Sequence, residues 1–312
     1  MRVALALDIG GTKIAGAAVR DDGSPLTGVE VPLRGDPTGA LLEVVAKIAA
    51  RAPEIAGVGI GSAGPVDPRA GTVSPVNIPQ WRGFPLVETV RTAVPGVPVR
   101  LAGDAQCMAL GEWWRGPYGP AGAMLGMVVS TGIGGGLVID GEPYLGPTGN
   151  AGHIGHIAVE PGGEPCPCGG AGCVEMIASG PSMVRWALAN GWRSRSCTAR
   201  GMRAGSTWQA PGADALAADA RAGVPVPVAA FRRAAVALAT AVLTAAALFD
   251  LDNVVIGGGV AAAGPTLLSP LREEIAARAG LPFLRRLRVE ATSLGRDAGL
   301  YGAAALVLRG TP

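Results

Sequence analysis

Residues 2–7 form a largely aliphatic run that paired glycines interrupt at Asp8-Ile9-Gly10-Gly11-Thr12-Lys13, and an apolar pattern resumes over residues 14–19 before Asp21-Asp22-Gly23. Two strands joined by a glycine-rich turn are what this pattern predicts. A helix over residues 41–50 follows, then a strand over 55–60 that runs into Gly61-Ser62-Ala63-Gly64-Pro65. A short strand over 97–101 leads through Gly103-Asp104 into a helix over 105–114. The pattern then restarts. An apolar strand over 124–130 meets Thr131-Gly132-Ile133-Gly134-Gly135-Gly136, read as a second glycine turn, and a strand returns over 137–139. A long apolar helix over 228–249, a strand over 253–256 ending in Gly257-Gly258-Gly259, and a helix over 267–277 complete the second half. Each half therefore holds a strand–glycine turn–strand unit followed by alternating helices and strands. That is a weak internal duplication, and it predicts two mixed α/β lobes. The segment 193–223 shows no clear period and reads as an irregular loop or a lid-like insertion.

Composition sharpens this picture at three points. The length of 312 residues favours two domains, and with 49% hydrophobic and 16% charged residues the chain can bury a large core. Glycine, at 49 residues, is about twice its usual ~7% share and has no three-residue period, so collagen is excluded. The 26 basic residues include only two lysines, and a net charge of +2 gives no electrostatic case for nucleic-acid binding. The apolar N-terminal run is too short for a signal peptide and is interrupted by Asp8. No uninterrupted apolar stretch reaches the ~18 residues of a membrane span, and the nearest, over 234–249, reads as a buried helix. A soluble, cytoplasmic protein without a membrane or nucleic-acid partner is the expectation.

The glycine turns are candidate phosphate sites, because backbone N–H groups can converge there without interference from a Cβ. At the first turn Asp8 adds a carboxylate that can hold Mg²⁺ directly or through water, while Thr12 and Lys13 can meet phosphate. The second turn, with Thr131, Gly132 and Gly134, leads into a strand rather than a helix, which disfavours a dinucleotide-binding fold. Cys166-x-Cys168-x4-Cys173 offers three thiolates, and both histidines of the chain, His153 and His156, lie just upstream. Three sulfurs and an imidazole make a zinc set. Cys107 and Cys197 read as ordinary thiols. Asp104, between a strand and a helix, is either a helix cap or a carboxylate projecting into a cleft.

Several glycine turns spread over two lobes resemble the architecture shared by sugar kinases, actin and heat-shock ATPases. Asp8-Ile-Gly-Gly-Thr-Lys13, Ser130-Thr-Gly-Ile-Gly-Gly-Gly136, Cys166-Pro-Cys-Gly-Gly-Ala-Gly-Cys-Val-Glu175 and Asp297-Ala-Gly-Leu-Tyr-Gly-Ala-Ala304 together resemble the ROK family of repressors and sugar kinases over almost the whole chain. The resemblance implies a two-lobed, ribonuclease H-like α/β fold with an active-site cleft between the lobes. Its N-terminal lobe would span 1–118, with the final helix able to return to it, and its C-terminal lobe 119–312, with a zinc loop over 153–175. It further implies an ATP- and Mg²⁺-dependent, glucokinase-like kinase acting on the 6-hydroxyl of a hexose, assembled as a homo-oligomer, a dimer or a tetramer.

By the same resemblance Asp104 is the catalytic base. Asp8, Gly10, Gly11, Thr12, Lys13, Thr131, Gly132, Gly134 and Gly258 hold Mg-nucleotide, and His156 completes a structural Zn²⁺ site with Cys166, Cys168 and Cys173. Asn77, Gly103, Asp104, His153, His156 and Glu175 face the sugar. Two positions depart from the hexokinase-type pattern. Gly103 stands where the family has Asn, which deletes an amide expected to bond sugar hydroxyls. His153 stands where hexokinase-type members have Glu, as in bacterial N-acetylmannosamine kinases, while residues 77–85 look like a glucokinase substrate loop. An N-acetylmannosamine kinase or a kinase of a sugar-like C7-cyclitol is therefore the alternative. A sugar-sensing repressor, which would carry a DNA-binding segment ahead of Asp8, and a non-catalytic sugar-binding protein are remote ones.

Overall fold

A computed structural model describes residues 2–52, 54–118, 122–195 and 211–309. The chain divides into two units, the first made of Met1–Gly126, Gly135–Gly152 and Thr292–Pro312, the second of Met127–Gly134 and His153–Ala291. Cys197 and residues 196–210 of the segment read as irregular lie outside the described residues.

In the first unit, β1 (Val3–Ile9) is buried almost throughout, and its unbroken aliphatic run is what a strand covered on both faces requires. It pairs antiparallel with β2 (Lys13–Arg20), which pairs in turn with β3 (Pro25–Pro32). On its other side β1 pairs parallel with β4 (Ile55–Ser62). The short β5 (Val66–Asp67) and β6 (Thr72–Val73) form a ribbon of their own, and β7 (Val99–Gly103) runs parallel to β4, so the main sheet has the order β3-β2-β1-β4-β7. Helix α1 (Pro37–Ala49) begins at Asp36, whose side chain accepts from the Thr38 N–H, and turns Leu41, Val44, Val45 and Ile48 into one core. Helix α2 (Leu86–Ala93) adds Leu86 and Val90 to that core, and α3 (Asp104–Arg115) follows β7 directly.

The second sheet has the order β10-β9-β8-β11-β12, with β8 at Ala123–Val129, β9 at Ile133–Ile139, β10 at Glu142–Tyr144, β11 at Asn253–Gly257 and β12 at Arg288–Ala291. Between β10 and β11 lie α4 (Val174–Ala178), α5 (Gly180–Ala189), α6 (Ala213–Arg221) and α7 (Pro225–Phe249). Helix α8 (Pro265–Arg278) packs on α7, and α9 (Ala298–Leu308) packs in the first unit on α3, β1 and β4. By length and composition α7 would be apolar enough to cross a membrane, but an alanine-rich face including Ala234, Leu238, Ala241 and Val242 is buried in the second unit.

Two sequence expectations are corrected. Residues 213–221 are helical, with Leu216 and Ala217 buried, so the segment read as irregular carries a packed helix. The second glycine turn is confined to residues 130–132, because Gly134, Gly135 and Gly136 already belong to β9. A Cβ on Gly136 would collide with the backbone of Gln106, so here glycine lets α3 lie directly on the strand. Gly59 under the Ala303 carbonyl and Gly111 against that of Ala298 serve the same end beneath α9. Part of the glycine excess is thus spent on close helix packing rather than on turns.

Candidate active site and metal centre

The first glycine turn occupies residues 10–12, closed by a Gly10 N–H bond to the Lys13 carbonyl (3.1 Å), and Asp8 and Lys13 sit in the flanking strands. Asp8 is half-buried, and its carboxyl is pushed up from 3.8 to about 7, first by burial, then by the nearby charge of Asp104, with Lys13 acting in the opposite direction. Two carboxylates so placed repel each other and favour a shared cation. Gly299 at the start of α9 leaves the space the Asp8 carboxylate fills, since a Cβ there would stand 3.0 Å from Oδ2. Lys13 is paired with Glu30 on β3. Asn77 lies against the turn, its Nδ2 2.8 Å from where a Gly11 Cβ would be. Its loop is anchored by buried Trp81, which stacks on Phe84 at 4.4 Å and donates to Thr38 Oγ1 at 3.2 Å.

Asp104 is the first residue of α3, with Gly103 in the cap position, so its side chain does not perform the capping of a typical N-terminal aspartate. Its Oδ1 accepts from the Ala105 N–H at 2.7 Å. The helix start is held by Gln106, whose Oε1 accepts from the Gly103 N–H (2.9 Å) while its Nε2 donates to the carbonyls of Gly149 (3.2 Å) and Ala151 (2.9 Å). Sequence reasoning passed over Gln106, although a glutamine three residues past a helix cap is a recognisable signal. A Cβ on Gly103 would stand 3.3 Å from Gln106 Oε1, so the missing side chain leaves room bounded by that amide. Cys107 is fully buried behind the pair, its thiol pushed well up by burial and by Asp8 and Asp104.

In the second unit Glu175, on the first turn of α4, reaches the other glycine turn. Its Oε2 accepts from the Ile133 N–H at 2.7 Å and occupies the space a Gly132 Cβ would need, while Thr131 is exposed beside them. Gly258 adopts a φ of +98°, and a Cβ there would strike the backbone of Val129, so glycine is required at this position. His153 caps and His156 ends a short 3₁₀ turn, both exposed, with ring centroids 6.2 Å apart.

His156 lies with Cys166, Cys168 and Cys173, and the four ligand atoms are within 4.8 Å of one another. His156 Nδ1 is 3.8 Å from Cys166 Sγ, and Cys168 Sγ is 3.7 Å from Cys173 Sγ. A tetrahedron with Zn–S near 2.3 Å and Zn–N near 2.0 Å has edges of about 3.5–3.8 Å. The donor set and its spacing fit zinc. Burial and the neighbouring thiols push the Cys173 thiol up to about 12, an arrangement that a bound cation would reverse.

Strand–turn–strand motifs in both sheets, a carboxylate pair and a Cys3His cluster are the features that the sequence resemblance implied. The family model described as "ROK family" matches residues 4–310, and the chain belongs to that family. It is 34% identical to a glucokinase of Streptomyces coelicolor, covering all of this chain and 99% of that one. It is 35% identical to an N-acetylmannosamine kinase of Escherichia fergusonii, over 97% of each. A ROK glucokinase from Streptomyces griseus, solved in complex with glucose and AMPPNP, shares 34% identity with a TM-score of 0.82, over 99% of this chain and all of that one.

Proposed function

We propose that the protein is an ATP- and Mg²⁺-dependent, glucokinase-like sugar kinase that transfers the γ-phosphoryl group of ATP to the 6-hydroxyl of a hexose. The observation that carries this reading is the carboxylate pair, with Asp104 at a strand-to-helix junction and Asp8 beside it, in a chain of this family. Phosphoryl transfer asks for positioning, charge neutralisation and a proton acceptor. The Ala105 N–H holds Oδ1 of Asp104 at the start of α3, and the carboxylate so fixed would accept from the acceptor hydroxyl. As the hydroxyl oxygen bonds to the γ-phosphorus and the bridge to ADP breaks, its proton passes to that carboxylate. Asp8 would hold Mg²⁺, directly or through water, and the metal supplies neutralising charge at the phosphates. Gly10, Gly11, Thr12 and Lys13 in the first unit, and Thr131, Gly132, Gly134 and Gly258 in the second, would bind nucleotide through backbone N–H groups and polar side chains. Because Lys13 is paired with Glu30, nucleotide would have to draw it away. Asn77, Gly103 and Asp104 in the first unit and His153, His156 and Glu175 in the second would meet the sugar. His156 is also the fourth zinc ligand, so its part there is to position the loop.

A second reading, an N-acetylmannosamine kinase, is favoured by His153 and by the similarity to kinases of that sugar. The unoccupied Cβ position of Gly103 also suits a differently substituted ring, a C7-cyclitol among them. A coupled ADP-release assay over glucose, mannose, N-acetylglucosamine, N-acetylmannosamine and a C7-cyclitol separates these. Glucose turning over fastest supports the proposal. A preference for N-acetylmannosamine or the cyclitol selects the second reading, and no turnover with any acceptor overturns the kinase assignment. Cytoplasmic residence and a dimeric or tetrameric assembly complete the proposal, the latter testable by light scattering.

A further inference from the structure

A cavity of 660 Å³ lies wholly within the first unit. Four arginines from four separate segments line it: Arg69 after β5, Arg91 on α2, Arg100 on β7 and Arg309 after α9. Among the described lining residues Glu88 and Glu142 are the acidic ones, so the lining carries a formal charge of +2, equal to that of the entire chain. Its floor is aliphatic, from Leu101, Leu110, Leu145 and Leu306. Arginine stays protonated and presents a planar fork suited to phosphate and carboxylate oxygens. An apolar floor strengthens that attraction by lowering the local dielectric.

The site is in part preorganised. Arg309 is fixed by donating to the Gly141 carbonyl at 2.6 Å and by stacking over Trp113 with its guanidinium carbon 4.0 Å from the ring centroid. Arg91 is held by an ion pair with Glu88 at 2.6 Å. A cationic rim over an aliphatic floor, with volume for a compact organic molecule, matches a ligand with one strongly anionic end and a carbon body.

We infer that this cavity is a second ligand site, which binds a small organic phosphate independently of the sugar and nucleotide residues. Leu101 lies on β7, three residues before Asp104, and Leu110 lies on α3, which Asp104 begins. The ligand would therefore rest on the same strand and helix that position the carboxylate.

The test is calorimetric titration of the full-length protein with 3-phosphoglycerate, with inorganic phosphate and citrate as arms that isolate the phosphate and the carboxylates. The inference expects saturable binding of 3-phosphoglycerate, tighter than either arm and undiminished by saturating AMPPNP and Mg²⁺. In R69A/R100A it expects binding weakened by about tenfold or more, with AMPPNP binding retained. E142Q, which removes an opposing charge, should tighten binding severalfold and guards against a folding defect in the double variant. The inference is overturned by absence of saturable binding at millimolar 3-phosphoglycerate, by displacement with AMPPNP, by citrate binding as well as the phosphoester, or by equal affinity in wild type and both variants. Because binding is read without turnover, failure of the kinase assignment would leave this result interpretable.

Discussion

Asp8→Asn should stabilise the ligand-free protein at neutral pH, and the structure sets both the sign and the size. The Asp8 carboxyl is raised from 3.8 to about 7 by burial and by Asp104. Below about pH 4 the folded and unfolded chains both carry this proton, and it contributes nothing to their difference. Between pH 4 and 7 the unfolded chain releases the proton while the folded chain retains it, so stability falls as pH rises. Above pH 7 the penalty is complete. The full displacement corresponds to about 4 kcal/mol, and because Asp8 is only half-buried, about 2–4 kcal/mol is the working range. Asparagine has nearly the same shape and carries no charge, so Asp8→Asn should remove most of this slope. Urea unfolding of both proteins between pH 4 and 8, without nucleotide or divalent cation, measures it. The curves should converge at pH 4 and separate by pH 8 with the variant above. Parallel curves, or a variant that loses stability at pH 8, would refute the reasoning that the carboxylate pair is held at a cost to the fold.

Asp104→Asn should preserve sugar binding yet lower turnover by about 10²–10⁴-fold, as read by calorimetry alongside ADP release; near-normal turnover would remove Asp104 from the role of base. Elemental analysis should find about one zinc per chain, and a Cys173→Ser variant should bind less metal and melt at a lower temperature. Glu112→Ala should cost about 1–3 kcal/mol, because it strands the donors this buried side chain accepts from, Thr292 Oγ1, Ser293 Oγ at 2.7 Å and Leu294 N–H at 3.0 Å; no measurable loss in urea unfolding would contradict that account. Gly103→Asn should change the sugar KM more than it changes stability, since a Cβ there needs only a small shift of Gln106.

Local signals carried most of what could be read from the chain. The hairpin of β1 and β2, the strand before Asp104 and the cysteine cluster each depend on residues near one another in sequence, so pattern and spacing revealed them. The exposed edge strand β3 was missed because its alternating residues bury little and prolines stand at both ends. Glycines 134–136 look like a turn until α3 is seen lying on them. Helix α6 was hidden by a run of Ala, Asp and Arg whose weak apolar stripe only becomes meaningful against α7. Glu112 could not be assigned in advance, because the donors that satisfy it lie 180 to 182 residues away. The partner of Lys13 was equally invisible, since it requires the register of β2 against β3.

The arms of the cysteine–histidine cluster end on the same short stretch of backbone. Gly155, one residue before His156, leaves no room for a side chain against the Ile133 carbonyl, and Glu175, two residues after Cys173, accepts from the Ile133 N–H. The segments flanking the cluster therefore meet Ile133, the residue that follows the second glycine turn, from two directions, Gly155 by close packing and Glu175 by a hydrogen bond. With zinc bound as proposed, metal supply and the geometry of that turn would become one variable: a metal-starved chain would keep every residue of the turn while losing the brace beside it.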